Sequence, residues 1–388
     1  VNAATLFDAA TDHYAGNASE TESSYHFLNR ASDPLWQRTR DLIEAWYTEF
    51  PDPEGDLRAR FQSDNVEQHL AAWWELYTYT LFRCLGYDVE VHPTVPGSDK
   101  RPDFRVSRES SGMYVECAAT AGDDVVENPA GQAWIRECIN QARSPDFMVQ
   151  VEITEVGTDH PSVGEIVRPI QDWLATLDYD ILSELMDTTM DAAEEIFVFR
   201  DWKVRIVALP VNEASRGYDG RLIGLEFTGV RAIDEETKIR TVLKNKGRRY
   251  GTLNEPLIVA LLSWSSWTNV REMVNALFGS IVATYVQHDL QSARLIRQRD
   301  GYWRPPPSTR GSRIAGVLFA ESALKPWRVA ETLPHLWLNP WAPTPVLDAL
   351  PFTIHTADDD GNVVSTPTAT TPQRLFGLSE EWSKNADQ

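Results

Sequence analysis

Apolar residues recur at helical spacing in DPLWQRTRDLIEAWYTEF (33–50), where Leu35, Leu42, Trp46 and Phe50 share one side, and the pattern stops at the turn-forming PDPEGD. The next segment, NVEQHLAAWWELYTYTLFRCLG, is apolar almost all round through Leu70, Trp73, Trp74, Leu76, Tyr77, Leu81, Phe82 and Leu85. This predicts a long, largely buried helix that starts at a capping residue, Asp64 or Asn65, and ends at Gly86. Three short strand-like runs follow, YDVEVHP, PDFRVSR and GMYVECAAT, separated by the turn-forming PGSD and ESSG. Residues 1–30, polar and acidic, are expected to form a loosely attached arm.

The middle of the chain, about 130–235, has the pattern of an elaboration inserted into this arrangement. It predicts a helix (GQAWIRECINQAR), a strand (FMVQVEITEV), a helix (VGEIVRPIQDWLATLD), a second strand (WKVRIVALPV) and a glycine-containing turn region. A basic helix, EETKIRTVLKNKGRRYG, comes next, followed by the apolar strand EPLIVALLSW. A helix over VREMVNALFGSIVATY and a strand over RIAGVLFAE complete the body, and a proline-rich part (PHLWLNPWAPTPVLDALPF) leads to a polar tail from about 356. The expected class is mixed α/β around one sheet. The expected divisions are an N-terminal arm and helix (1–65), a core with its insertion (66–320) and a proline-rich C-terminal extension (321–388).

With 388 residues, 42% of them hydrophobic, and fourteen tryptophans, the chain can build a large core. No apolar run approaches the roughly 20 residues needed to span a bilayer. The first residues lack a basic segment followed by an apolar one, so neither membrane insertion nor a signal peptide is expected. Cys84, Cys117 and Cys138 form no CxxC pair, which argues against a zinc knuckle and a disulfide framework and for a reducing, cytoplasmic setting.

A net charge of −21 opposes nucleic-acid binding as a whole-molecule property. The distribution matters more: residues 1–67 carry thirteen acids against five bases, whereas Lys238 to Arg249 carries six bases and no acid. Arg294 to Arg313 adds six arginines against one aspartate, and interleaves them with Tyr302 and Trp303. That mixture suits a phosphate track with stacking rings, or equally a surface loop whose arginines pair with acids.

Three carboxylates stand out. Asp103 follows Pro102 at a strand entry, which is also what a plain turn would look like. Alternation puts Tyr114, Glu116, Ala118 and Thr120 on one face of their strand, so Glu116 is either a buried charge in need of a partner or part of a solvent-facing edge. Glu75 lies in AWWELYTYTLF, where a carboxylate needs a salt bridge to an arginine or a role. Two close carboxylates can hold Mg²⁺ or Mn²⁺, which polarises a phosphodiester and acidifies a bound water. His92, a lone histidine, fits a structural hydrogen bond better than a ligand. No P-loop, HExxH, GxSxG or GxGxxG is present.

WELYTYTLFRCLGYDVEVHP, KRPDFRV and MYVECAAT together resemble the PD-(D/E)XK nuclease superfamily with its restriction-endonuclease-like fold, over residues 66–120 and 236–264. The WELY, HP…RPDF, K-x-x-x-YG and NPWA pieces are similar to a divergent actinobacterial-type branch. The resemblance implies a mixed sheet flanked by helices, a divalent metal on Asp103, Glu116 and Glu75, and hydrolysis of DNA or, second, RNA, with self-association left open. The family lysine of E-x-K is Ala118 here, so the resemblance equally allows an inactive descendant that binds nucleic acid or protein. One compensation is visible. Lys246 and Tyr250 stand four apart, at the spacing of the Q-x-x-x-Y that some members carry on the following helix, so both share a helix face. Lys246 is therefore expected as the catalytic lysine, with Tyr250, Lys244, Arg248 and Arg249 as accessory groups and Lys100 as a second lysine candidate.

Overall fold

The computed structural model of the chain describes residues 4–8, 11–109, 111–120, 128–189, 192–217, 220–226, 234–251, 253–265, 268–286, 289–307, 310–311, 313–346, 350–358, 362–379 and 382. It divides into two compact units, one made of 1–16, 23–123 and 233–388, the other of 17–22 and 124–232.

The first unit begins with helices α1 (Ser24–Arg30), α2 (Pro34–Glu49), α3 (Asp56–Phe61) and α4 (Val66–Cys84). Their starts follow local chemistry: the Asp33 side chain accepts from the Leu35 amide ahead of Pro34, and Asn65 accepts from the Gln68 amide. Within the arm expected over residues 1–30, the described residues Leu6 and Phe7 are instead pinned. Leu6 is fully buried, its amide and that of Phe7 donate to the Glu44 carboxylate, and Phe7 packs edge-on against Phe61. Apolar anchors spaced among many acids escape a compositional reading. Strands β1 (Asp88–Val91), β2 (Phe104–Arg108) and β3 (Ser111–Thr120) then run antiparallel in sequence.

The second unit holds α5 (Pro129–Asn140), β4 (Phe147–Glu155), α6 (Val163–Leu174), α7 (Tyr179–Thr189), β5 (Glu194–Phe199), β6 (Trp202–Pro210) and β7 (Ile223–Glu226). Its four strands lie in the order β5-β6-β4-β7 and enclose a core of their own around Ile135, Val149, Ile166 and Ile206. Helix α7 and strands β5 and β7 go beyond the elements that the pattern predicts. Part of the glycine-containing turn region, residues 227–233, lies outside the described residues.

The first unit resumes with α8 (Glu235–Gly247), β8 (Leu257–Ser263), α9 (Val270–Phe278), β9 (Ile281–Val286), β10 (Asp289–Arg297), β11 (Ile314–Ala320), β12 (His335–Leu338), β13 (Ile354–Ala357), β14 (Val363–Thr366) and α10 (Pro372–Phe376). The helix expected to run from Val270 through Tyr285 ends at Phe278. Gly279 adopts φ 107°, and a Cβ there would meet the Gln298 carbonyl, so the chain turns into the β-branched run IVATYV as a strand. The proline-rich part and the start of the polar tail likewise contain strands: β12, β13 and β14 extend the main sheet.

That sheet has eight strands in the order β1-β2-β3-β8-β11-β12-β13-β14, with β3, β8 and β11 parallel at its centre. Strands covered on both faces are expected to read as continuous apolar runs, and β8 and β11 are buried at every residue. One core joins Trp73, Trp74 and Tyr77 of α4 to Phe104, Val115 and Ile258, with the Trp74 indole donating to the Ala260 carbonyl. Another joins Ile239 and Leu243 of α8 to Tyr114, Val259 and Leu261. The large sheet is thus mixed and flanked by helices, and β3 presents one face to α4 and the other to α8.

Candidate functional site

Alternation along β3 sends Val115, Cys117 and Ala119 into the α4 core, and Tyr114 and Ala118 into the α8 core. Glu116 shares the α8 face and is 0% exposed, which removes the reading of a solvent-facing edge. A carboxylate so placed requires compensation. It receives three donors: Lys246 Nζ at 2.7 Å and Arg249 Nη1 at 2.9 Å on Oε1, and the Tyr250 hydroxyl on Oε2. Lys246 Nζ also donates to the Cys117 carbonyl at 2.8 Å, so the ammonium bridges the side chain of one strand residue and the main chain of the next.

These donors come from the end of α8 and the residues after it, where a cation is also favoured by the helix dipole. The chain leaves through Gly251 at φ 72°, which turns Tyr250 back over the strand. Its hydroxyl lies 3.2 Å from the Arg101 carbonyl as well as against Glu116. Burial, then the adjacent Glu116 charge, push the Tyr250 phenol far above its ordinary range, so it is a neutral donor.

Asp103, half-buried at the entry to β2, accepts the Cys117 amide on Oδ2 at 2.6 Å, while its carbonyl takes the His92 amide at 2.9 Å. Its carboxyl is raised to about 7, first by burial, then by the like charges of Glu116 and Glu75, and Lys246 and the Cys117 amide only partly offset this. Its neighbours thus disfavour Asp103 as an anion, the condition for giving way to a bound cation.

Glu75, buried on α4, pairs with Arg60 of α3 at 2.8 Å, the salt-bridge alternative. Burial raises its carboxyl pKa and Arg60 opposes the rise. Glu75 stands on α4, which packs on one face of β3, and Glu116 points to the other face, toward α8. Among the described residues no group of three or more His, Cys, Asp or Glu side chains is arranged to hold a metal ion, while Glu116 and Glu75 both act on Asp103 through their charge.

The remaining expectations divide. Lys100 is exposed on the turn before β2 and forms no ion pair among the described residues, and His92 is exposed, at φ 50°. Lys244 and Arg248 lie on a different face of α8 from Lys246, in a basic basin beside Tyr302. Trp303 is buried in the α8 core, 1% exposed, and the Tyr302 hydroxyl is tied to the Leu243 carbonyl, so neither is the free stacking ring that the arginine-rich stretch suggests. The Arg60 partner of Glu75 has no signal in the linear pattern, since it comes from a six-residue helix. Trp337 and Asn339 of the W-x-L-N-P-W segment are packing residues: Trp337 is buried and Asn339 Nδ2 donates to the Ile314 carbonyl.

Comparison with known proteins yields no matching family model, no matching curated protein and no matching solved structure. Among the described residues no helix is long and apolar enough to cross a membrane, and the three cysteines are free thiols.

Proposed function

We propose that this chain is a divergent member of the restriction-endonuclease-like fold that hydrolyses phosphodiester bonds of DNA or, second, RNA, with Mg²⁺ or Mn²⁺. The observation that carries the reading is the position of Lys246, whose ammonium lies 2.7 Å from Glu116 and 2.8 Å from the Cys117 carbonyl, beside Asp103. On this reading α8 supplies to the same strand the lysine absent from position 118. Supporting it, α4, the strands β1 to β3, α8 and β8 follow one another in the first unit, with β8 parallel to β3.

The donor set fits the metal in kind. Mg²⁺ takes oxygen ligands and is commonly held by one or two carboxylates, its other positions filled by water and substrate phosphate, so a three-carboxylate cage is not required. Asp103 and Glu116 would hold it, and Asp103, destabilised as an anion by its neighbours, gains from a cation more than an ordinary aspartate would. Bound there, the ion would supply Lewis-acid polarisation of a phosphate and an acidified water. Lys246 anchors the Glu116 carboxylate and offers its remaining donor capacity to negative charge that develops on a phosphate. Tyr250 fixes the second Glu116 oxygen, and Arg249, more exposed than Lys246, can exchange its hold on Glu116 for a phosphate oxygen.

A second reading, a binding module without catalysis, is favoured by one observation: both Glu116 oxygens are already engaged by protein donors. Incubating the purified chain with labelled single- and double-stranded DNA and RNA, in Mg²⁺ or Mn²⁺, separates the two. Cleavage of at least one substrate is expected, with Asp103→Ala reduced to the metal-free background. Equal products from wild type and Asp103→Ala would end the catalytic reading.

A further inference from the structure

Helix α8 has a second face. Arg240, Lys244 and Arg248 follow one another at intervals of four, which stacks them along one stripe of the helix. Facing them, in the segment between β10 and β11, stand Arg304, Arg310 and Arg313. These six cations line a basin of about 920 Å³, large enough for several phosphate groups and the sugars between them. The one acid on its wall, Asp300, is held by the Ser280 amide at 2.9 Å and hydroxyl at 2.6 Å, which with a nearby Arg240 keep its carboxyl below the usual range.

The chain has 57 acids against 36 bases, so an exposed arginine has carboxylates in excess to choose from. Arg240 has taken one, Glu236, at 3.4 Å. Lys244, Arg248, Arg304, Arg310 and Arg313 form no ion pair among the described residues, and the buried Arg304 Nε has no hydrogen-bond partner there. Five cations without an ion pair among the described residues crowd one concavity and repel one another; a bound polyanion reverses that balance.

We infer that this basin binds the phosphate groups of a nucleic-acid backbone. The cations carry the recognition: Trp303 is inside the core, and Tyr302 forms the floor with its hydroxyl on the Leu243 carbonyl. Gly247 permits that floor: a Cβ there would stand 2.6 Å from the Tyr302 hydroxyl. Contacts from cations to phosphates carry no base readout, so binding is insensitive to base sequence and strongly dependent on salt. The basin leads toward the carboxylates. Gly247 and Arg313 also line an adjoining cavity of about 110 Å³ whose wall includes Tyr250, the residue that touches Glu116. The charges argue for a polyanion by themselves, and only the choice of a nucleic acid rests on the function proposed above.

The test measures binding without turnover. Fluorescence anisotropy is followed for the full-length Asp103→Ala chain in EDTA, with two unrelated oligonucleotide sequences in single- and double-stranded form. Heparin and inorganic tripolyphosphate serve as competitor and small-phosphate probe. Both sequences are expected to bind alike in at least one strand form. Affinity should fall with salt with a slope near −0.9 per phosphate contacted, so about 4 or 5 contacts on a duplex give a slope of roughly −4. Lys244→Glu combined with Arg248→Glu should weaken binding at least tenfold and flatten the slope by about 2, whereas Arg83→Glu, at the end of α4, should change neither by more than about twofold. Unchanged affinity and slope in the double variant would overturn the proposal. So would tripolyphosphate binding without any oligonucleotide binding, or no binding of either. Basin-dependent binding by a wild-type chain that never cleaves would sink the catalytic reading and leave this one standing.

Discussion

Between pH 5 and pH 8 the wild-type chain is expected to lose stability that Asp103→Asn retains. An aspartate in an unfolded chain titrates near 3.9. In the fold Asp103 is raised to about 7, by burial first and by Glu116 and Glu75 after it. From about pH 4 to about pH 7 the native state therefore carries a proton that the unfolded state lacks. The contribution is fully present below the unfolded value and is lost as pH rises through the folded one. Each pH interval of one between those two values is worth about 1.4 kcal/mol, so the loss is on the order of a few kcal/mol. Asparagine imitates the protonated carboxyl, so the difference in stability between Asp103→Asn and wild type should grow from pH 5 to pH 8, where it should favour the variant by several degrees in Tm. Burial lowers the pKa of His69, His335 and His355, and these act in the opposite sense, costing stability as pH falls below about 6.5; being common to both chains, they cancel in the difference. Added Mn²⁺ at pH 8 should restore wild type and leave Asp103→Asn unmoved, because a ligand that binds only the native state stabilises it by mass action. Parallel pH profiles of the two chains would refute the assignment of a destabilised carboxylate.

Replacing Glu116 should produce the largest structural penalty at the site. Removing one partner of a buried ion pair costs about 3–5 kcal/mol, mostly because the other charge is left uncompensated. For Glu116→Ala the low end of that range is expected, for reasons visible in the geometry. Lys246 keeps the Cys117 carbonyl and has Asp103 within electrostatic reach, and Arg249 is exposed enough to turn to water. Glu116→Gln keeps the volume and one acceptor and should cost less than Glu116→Ala. Both variants remove a like charge from beside Asp103, so the pH at which stability declines should move down relative to wild type. Chemical denaturation across pH reads both effects. An unchanged midpoint of the pH profile in Glu116→Gln would separate Asp103 from Glu116 and dismantle the site.

Much of the central sheet is legible because its strands are either continuous apolar runs or bracketed by turn residues. Strand β8, buried at every position, and helix α4, apolar all round, leave little freedom of interpretation. Strand β9 reads as helix because VREMVNALF sets a helical period that the eye continues past Gly279, although the backbone there cannot continue it. Leu6 and Phe7 escape notice since two apolar residues among acids carry no periodicity. At the site, the approach of Lys246 to Glu116 is accessible only through the four-residue interval to Tyr250, since 130 positions separate the two partners. The Arg60–Glu75 pair, and the division of the carboxylates between two faces of β3, depend on packing that no local pattern encodes. The arginine-rich stretch divides in a way composition does not express: its arginines line the basin and its tryptophan enters the core.

The claim that most needs testing is that α8 supplies the lysine missing from β3. The direct measurement is single-turnover cleavage of the best substrate by wild type, by Lys246→Ala, and by Lys246→Ala carrying Ala118→Lys, each checked for folding by its melting profile. Loss of one preorganised donor to developing charge costs on the order of 10²–10³ in rate, so Lys246→Ala should fall by about that factor. Position 118 lies on the same β3 face as Glu116, and a lysine there should recover at least tenfold of the loss. Lys246→Ala cleaving at the wild-type rate would contradict the claim outright.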